Sequence, residues 1–342
     1  CEGTLAGELR EAMRARDGLA PGLVCYNAAI SACDRGGQPD AALALLRNME
    51  ADGIRPDVVS YTSVMSACAR SQRHWRRTLI LLRDVRRHAA GQLSARTYAT
   101  AATACATGRA WQRALRVVAA FEADSRATDG DAVVVYSAAI GACSAAGHYQ
   151  GAVSLLDRLE ARGVTPDSVA FTSAVVACAR RGEWQDALAV LTRAHAAKKA
   201  SQRAYSAAIG ALSCAGELAL SARLIRSMRR AGYTPTIESY TPLLQACAVA
   251  RRPSTALRLW ADLKRRGVEP DRRALVALLS ACVRGRAWSE GLAAIESHYR
   301  AIHPPPPPMY TREEWESSSL GAVAGGPGTT PGELPAPVAS PS

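Results

Sequence analysis

The chain has 342 residues, a net charge of +12, 48% hydrophobic and 21% charged residues, and only 5% aromatics. Those fractions lie near globular averages, and the abundance of Ala, Leu and Arg favours helix. No run of 18 uncharged apolar residues occurs, so no membrane-spanning helix is expected.

The positive charge belongs to the body of the chain. From Pro304 onward Arg312 stands alone against Glu313, Glu314, Glu316 and Glu333. A basic body attracts polyanions such as RNA or DNA, and the same charge also serves ordinary solubility. Ten cysteines occur without a Cys-x-x-Cys pair, which excludes zinc knuckles, thioredoxin-like motifs and haem attachment. Residue 1 is Cys rather than Met, so it is not expected to be a translation start, and a targeting peptide would have to lie ahead of it.

In chain order, residues 1–22 end on Gly18-x-x-Pro21-Gly22 and are predicted to be the second half of a truncated repeat. An aromatic then recurs at Tyr26, Tyr61, Tyr98, Tyr136, Phe171, Tyr205 and Tyr240, with Leu275 as a weaker eighth member. Seven residues after each comes Cys (Cys33, Cys68, Cys105, Cys143, Cys178, Cys247, Cys282), except for Leu212, and Ala precedes every one of these positions. Ala and Cys are small and apolar, so the spacing predicts closely packed helices with buried, structural cysteines.

Gly53-x-x-Pro56-Asp57, Gly163-x-x-Pro166-Asp167, Gly232-x-x-Pro235-Thr236 and Gly267-x-x-Pro270-Asp271 close units in one phase. Glycine past a helix end takes the left-handed conformation, and the following proline prevents the helix from resuming. Each unit therefore holds two helices. The first is expected to run from the aromatic for about three turns. The second carries patterns such as Ala42-Leu43-Ala44-Leu45-Leu46 and Ala187-Leu188-Ala189-Val190-Leu191, which give one buried stripe. Trp111, Trp184 and Trp288 share a phase at the start of the second helix, with Trp75 one residue later, and are read as packing residues. The implied repeats are residues 23–57, 58–94, 95–132, 133–167, 168–201, 202–236, 237–271 and 272–303. A two-helix unit cannot bury its apolar face alone, so the units must stack. The predicted fold is all-α, a right-handed superhelical solenoid of helix–turn–helix repeats of about 35 residues. Residues 304–342, rich in Pro, Gly, Ser and Ala, are predicted to be a disordered tail.

These markers together resemble the pentatricopeptide repeat family, whose units open on Val-x-Tyr-Asn/Thr/Ser and close on Gly-x-x-Pro-Asp. Val24-Cys25-Tyr26-Asn27 opens one unit, Gly53-Ile54-Arg55-Pro56-Asp57 closes it, and Val59-Ser60-Tyr61-Thr62 opens the next. The resemblance spans residues 1–303. It implies single-stranded RNA as the partner, one base per repeat, in a chloroplast or mitochondrion, with roles in RNA processing, stability or translation. It also implies base reading by the residue after the aromatic together with the last residue of the repeat. The pairs are Asn27 with Asp57, Thr62 with Ser94, Ser137 with Asp167, Thr172 with Ser201, Ser206 with Thr236, and Thr241 with Asp271. The family pattern associates the first with U, the Ser137 and Thr241 pairs with G, and the Thr172 pair with a purine. Ala99 and Ala132 have no side-chain hydrogen bond to offer. The expected preference is 5′-U-n-n-G-purine-n-G-3′.

The family also implies an aliphatic residue that sandwiches the base, here Val24, Val59, Val134 and Val169, whereas Arg96, Arg203, Glu238 and Arg273 depart from that pattern. Arg35, Arg70, Arg180 and Arg284 share a phase near the end of the first helix. They are read either as phosphate contacts or as charges favoured by the helix dipole. Ser and Thr at these positions are also ordinary helix N-cap residues, which leaves a purely structural reading open. No metal, cofactor or small-molecule substrate is expected, and no catalysis. The His-x-Glu and Pro-Cys-x-x-Cys elements of zinc deaminase domains are missing, as are phosphate loops and His-Glu-x-x-His. Other proteins are a further expected class of partner. The alternative function is a protein–protein interaction scaffold that takes a peptide on its concave face.

Overall fold

The computed structural model describes residues 22–88, 93–124 and 128–302. The half-repeat expected before residue 22 and the tail expected from residue 304 lie outside the described residues. Within them the secondary structure is sixteen helices and no strand. The first helices of the eight repeats are α1 (Leu23–Arg35), α3 (Val58–Arg70), α5 (Ala95–Thr107), α7 (Asp129–Ala146), α9 (Ser168–Arg181), α11 (Gln202–Cys214), α13 (Ile237–Val249) and α15 (Arg272–Arg284). The second helices are α2 (Pro39–Ala51), α4 (Trp75–His88), α6 (Trp111–Glu122), α8 (Tyr149–Ala161), α10 (Trp184–Ala196), α12 (Leu218–Arg230), α14 (Pro253–Arg265) and α16 (Trp288–Ile302). The chain forms two compact units, and all but the first residue of α16 belongs to the second of them, which begins at Ser289.

Helices α1–α15 form an all-α solenoid in two layers. Each first helix packs on the first helices of neighbouring repeats. Each second helix lies against the first helices of its own and the following repeat. The repeated aromatic sits in this seam. Tyr26, Tyr98, Tyr136, Phe171, Tyr205 and Tyr240 are all fully buried. The phenols stay satisfied because each reaches a polar group near the end of a second helix. Tyr26 donates to Asp52, Tyr98 to Asp124 at 3.1 Å, Tyr136 to Glu122 and Tyr240 to Asp262 at 2.7 Å. Tyr205 meets His195 Nδ1 at 2.9 Å instead. A buried ring with a bonded hydroxyl combines a large apolar area with no orphaned polar atom.

The cysteine ladder is packing, as its spacing predicts. Cys68, Cys105, Cys143, Cys178, Cys247 and Cys282 are fully buried, as are Ala104, Ala142, Ala177 and Ala281 immediately before four of them. Burial pushes the thiols of Cys68, Cys105 and Cys178 up to about 12, and those of Cys143 and Cys247 up to about 11. A thiol held that high is not a thiolate at neutral pH and is inert as a nucleophile.

Trp75, Trp111, Trp184 and Trp288 begin second helices; Trp75 and Trp111 join neighbouring repeats there, whereas Trp288, expected to pack, is 64% exposed. Trp75 lies so close over Gly108, at the end of α5, that any Cβ at residue 108 would stand 2.3 Å from its ring. Trp111 stacks on His148, the N-cap of α8, with centroids 3.7 Å apart. At the repeat ends Gly53, Gly163, Gly232 and Gly267 all have positive φ, the conformation their motif requires.

Two features differ from the expected layout. The first helix starts three residues before the aromatic, not at it, because the residue four before the aromatic is the N-cap. That cap is Asp57, Ser94, Asp167, Ser201, Thr236 or Asp271, the same set named above as the last residues of the repeats. In the fourth repeat the cap is Thr128, one helical turn earlier, so α7 has 18 residues and Ala132 lies buried inside it. The boundary expected between residues 132 and 133 therefore falls within a helix. The 38-residue gap from Tyr98 to Tyr136 contains an added helical turn rather than a longer loop.

Candidate nucleic-acid interface

The proposed reading pairs occupy one face of the first-helix layer, where each repeat meets the next. The side chain after the aromatic projects from the first turns of one first helix. Its partner caps the first helix that follows. A side-chain acceptor oxygen favours a cap, and Asp, Ser or Thr stands at these six, although Ser94 and Thr236 make no side-chain cap bond. Asp57 accepts from the Ser60 N–H at 2.8 Å, Asp167 from Ala170 at 2.7 Å, Asp271 from Ala274 at 2.7 Å and Ser201 from Ala204 at 3.2 Å. Such a cap stabilises its helix by about 1 kcal/mol.

Three of the six pairs are joined directly. Asn27 Nδ2 donates to both Asp57 carboxylate oxygens at 3.3 and 3.4 Å. Ser137 Oγ donates to Asp167 Oδ1 at 2.8 Å, and the Thr172 and Ser201 hydroxyls are 2.7 Å apart. The other three are not. Thr62 and Ser94 each meet Thr97 Oγ1 at 3.2 Å, so Thr97 bridges them. Ser206 pairs with Ser239 at 2.9 Å rather than with Thr236. Thr241 is only 6% exposed and its hydroxyl has no hydrogen-bond partner, although Asp271 stands at the matching cap.

The residue just before the aromatic, which lies outside the sequence-derived pairs, also takes part in these contacts. Ser60, Thr97 and Ser239 stand there and are fully buried, and each bonds the reading residue of the preceding repeat. Where that residue is Ala170 or Ala204 the reading residue meets the cap directly, as Asn27 also does beside Ser60, whereas Thr241 stays unbonded although Ala274 stands there. The available signal was a hydroxyl recurring immediately before Tyr61, Tyr98 and Tyr240. Burial pushes the Asp57 carboxyl up, but the backbone and hydroxyl of Ser60 and the Asn27 amide outweigh it and hold it below the usual carboxylate range. Asp57 is therefore an ionised acceptor at neutral pH.

Around the pairs, Val24, Val59, Val134 and Val169 are 79, 57, 54 and 62% exposed. Exposed valine once is unremarkable, but four at one repeat position form an apolar element in line with the polar pairs. Arg96, Arg203, Glu238 and Arg273 occupy the same position in the other repeats and are also exposed. Two grooves open on this face. One, of about 410 Å³, is bounded by Val169, Thr172, Arg180, Ser201 and Arg203. The other, of about 400 Å³, lies three repeats on and is bounded by the corresponding Arg273, Val276 and Arg284, with Val249.

The four arginines divide. Arg70 binds the carbonyl and carboxylate of Asp34, and Arg180 Nη1 donates to the Ser144 carbonyl at 3.1 Å. Both reach back to the end of the preceding first helix and satisfy a terminal carbonyl, the negative end of its dipole. The dipole reading is thus realised between repeats, not within one helix. Arg35 and Arg284 are exposed at the ends of α1 and α15. Among the described residues, no group of three or more His, Cys, Asp or Glu is placed to hold a metal ion.

These hairpins, stacked at a period near 35 residues with one aromatic per seam, define a helical-repeat protein. A PPR repeat family model matches residues 21–70, a PPR repeat model matches 134–164, and a model described as the pentacotripeptide-repeat region of PRORP matches 184–305. The chain belongs to the pentatricopeptide repeat family. No curated protein matches it. Among solved structures it resembles the pentatricopeptide repeat protein PPR10 in complex with an 18-nucleotide psaJ RNA element, at 16% identity and a TM-score of 0.45, over 87% of this chain and 48% of that one. PPR10 from maize matches at 22% identity and a TM-score of 0.42, over 89% of this chain and 54% of that one. The Arabidopsis thaliana nuclear protein-only RNase P 2 matches at 17% identity and a TM-score of 0.40, over 69% and 40%. The chain spans about half the length of the solved structures it matches.

Proposed function

We propose that this chain is a sequence-selective single-stranded RNA-binding module that acts on organellar transcripts in processing, stability or translation. The observation that carries the reading is the recurrence, at one repeat position, of a first-helix polar side chain bonded to the cap of the next repeat. Asn27 with Asp57, Ser137 with Asp167 and Thr172 with Ser201 all do this. A cap alone needs only its backbone N–H donor. The second hydrogen bond orients the acceptor toward the open face, where a base edge can take it up. Exposed valines beside the pairs offer an apolar contact for a base plane, and arginines nearby offer charge to the phosphates.

In this reading Asn27, Asp57, Thr62, Ser94, Ser137, Asp167, Thr172, Ser201, Ser206, Thr236 and Asp271 serve the bases, and Thr241, whose hydroxyl is buried, would have to turn outward to join them. Val24, Val59, Val134 and Val169 flank them, and Arg35, Arg70, Arg180 and Arg284 lie along the backbone path. The module works by occupancy: a strand held along the first-helix layer is denied to exonucleases and to its own hairpins. Catalysis is not part of the proposal. The family resemblance supports a chloroplast or a mitochondrion as the compartment.

Fluorescence anisotropy of the full chain tests the proposal with U-n-n-G-purine-n-G RNA, random single strands and matched duplex, at two salt concentrations. Tighter binding to the designed strand is expected at both. Equal binding to all three, abolished by salt, would reduce the module to a basic surface.

A further inference from the structure

The densest positive charge lies on the second-helix layer, not beside the reading pairs. Second helices pack inward on first helices rather than on one another, so grooves stay open between them. The groove between α4 and α6 has a volume of about 700 Å³. Its floor is Leu79, Leu82 and Val117, and its walls carry Arg83, Arg86, Arg87, Arg113 and Arg116. All five arginines are exposed. Arg83 touches Asp84 at 3.4 Å, Arg113 lies over the Trp75 ring at 5.2 Å, and Arg86 shares the surroundings of Tyr98 with Asp124, so five arginines on this rim stand beside few acids.

The arrangement recurs. A second groove, of about 630 Å³ between α10 and α12, has Leu188, Leu220 and Leu224 with Arg223, Arg226 and Arg230. Solubility alone calls for dispersed charge of both signs, not arginine concentrated along leucine-floored clefts. Phosphate binding accounts for the arginines but not for the floor. An apolar floor between two helices can be filled by the side-chain ridge of a third helix. Carboxylates flanking that ridge would meet guanidinium groups able to bind them bidentately.

We propose that the α4–α6 groove docks an acidic amphipathic α-helix of a partner protein. The partner helix carries Leu-type anchors at i, i+3, i+4 and i+7, with Glu or Asp on both flanks. RNA and protein would then occupy opposite layers of one chain, making it an adaptor that brings the partner to the transcript.

The test uses the full 342-residue chain and a labelled 18-residue model helix with leucines at that spacing and glutamates elsewhere, followed by anisotropy. Two controls are a scrambled peptide of the same composition and an unlabelled single-stranded RNA competitor. The expected result is saturable binding of the amphipathic peptide, weakened at least about tenfold by scrambling and by the Arg83→Glu/Arg116→Glu variant. Arg83→Gln/Arg116→Gln should show a smaller loss in the same direction, with circular dichroism confirming that both variants fold. RNA binding should be unchanged by the Gln pair, and RNA should not displace the peptide. Equal binding of the scrambled peptide would reduce the groove to a charged surface. Displacement by RNA would make it an RNA surface. Absence of saturable binding would also overturn the proposal. Failure of RNA binding in the anisotropy test above would leave these peptide outcomes readable.

Discussion

Ser137 and Asp167, thirty residues apart, are joined by a 2.8 Å hydrogen bond from Oγ to Oδ1, and the same carboxylate oxygen accepts the Ala170 N–H that opens α9. One atom therefore caps a helix and fixes the buried Ser137 hydroxyl beside it. The two duties separate by mutation. Asp167→Ala should lower thermal stability by about 1 kcal/mol through the lost cap. Ser137→Ala leaves the cap in place and should cost less than half of that. Thermal unfolding by circular dichroism checks the order, and an equal loss in both variants would contradict it.

Thr172 and Thr241 hold the same position in repeats two apart, yet differ in what they bond. Thr172 Oγ1 donates to the Ser168 carbonyl at 2.6 Å and lies 2.7 Å from Ser201 Oγ. Thr241 Oγ1 is buried without a partner. A hydroxyl buried without a bond is costly, and removing it is close to neutral or favourable. Thr172→Val should therefore destabilise by about 1 kcal/mol, whereas Thr241→Val should leave stability unchanged or raise it slightly. Urea midpoints of the two variants provide the comparison.

The arginine series predicts a split between stability and salt dependence. Arg70 and Arg180 hold the ends of α1 and α7. Arg70 is 57% exposed at its side chain, so its contribution is screened and small. Arg180→Ala should lower the melting temperature measurably, while Arg35→Ala and Arg284→Ala should not. The latter two should instead flatten the dependence of RNA affinity on salt, by up to about one unit of slope per phosphate contact removed.

Thiol chemistry follows from burial. Cys25 and Cys214 are exposed, while Cys33, Cys68, Cys105, Cys143, Cys178, Cys247 and Cys282 are buried. Alkylation of the native chain at pH 8, mapped by mass spectrometry, should label the first two and spare the seven until denaturant is added. Labelling of Cys105 or Cys178 in the native state would contradict the packing, since burial holds both thiols up to about 12.

The pH response of the first repeat has a definite sign. The Asp57 carboxyl is held below its ordinary value in the fold. Its contribution to stability is present above the unfolded value and is lost as pH falls through the folded one. Binding to a U at the first position should stay flat from about pH 5 to pH 8 and fail only in stronger acid. A titration inflecting near neutral pH would point to a different group.

Much of this was legible from spacing. Tyr26 through Leu275 marked the seams, and the cysteines seven residues later marked the close helix contacts. The glycines before Pro56, Pro166, Pro235 and Pro270 marked the repeat ends. These signals are local and periodic, so a single chain displays them. What escaped was of two kinds. Ser60, Thr97 and Ser239 act across a repeat boundary, and no one-repeat template asks what precedes the aromatic. Thr128 looks like part of a loop because Thr128-Asp129-Gly130-Asp131 is turn-like, yet Thr128 accepts from the Asp131 N–H and starts α7 a turn early. The partners of Arg70 and Arg180 lie 36 residues back, a distance at which only packing brings residues together.

The central claim, that cap and reading residue form one recognition element, is tested most directly at Asp167 by exchanging both partners. Guanine presents ring and amino N–H donors on its pairing edge, which a carboxylate accepts. Adenine presents a ring acceptor beside its amino donor, which suits an amide. Asp167→Asn keeps a side-chain oxygen for the cap, so the fold is retained. Affinities of the unaltered chain and of Asp167→Asn should be measured for U-n-n-G-purine-n-G RNA and for the same strand with A at the fourth position. The account predicts that the unaltered chain prefers G by about threefold to tenfold and that the variant inverts the preference. Unchanged preference, or a loss of affinity equal for both strands, would mean that Asp167 only caps its helix and that the bases are read elsewhere or not at all.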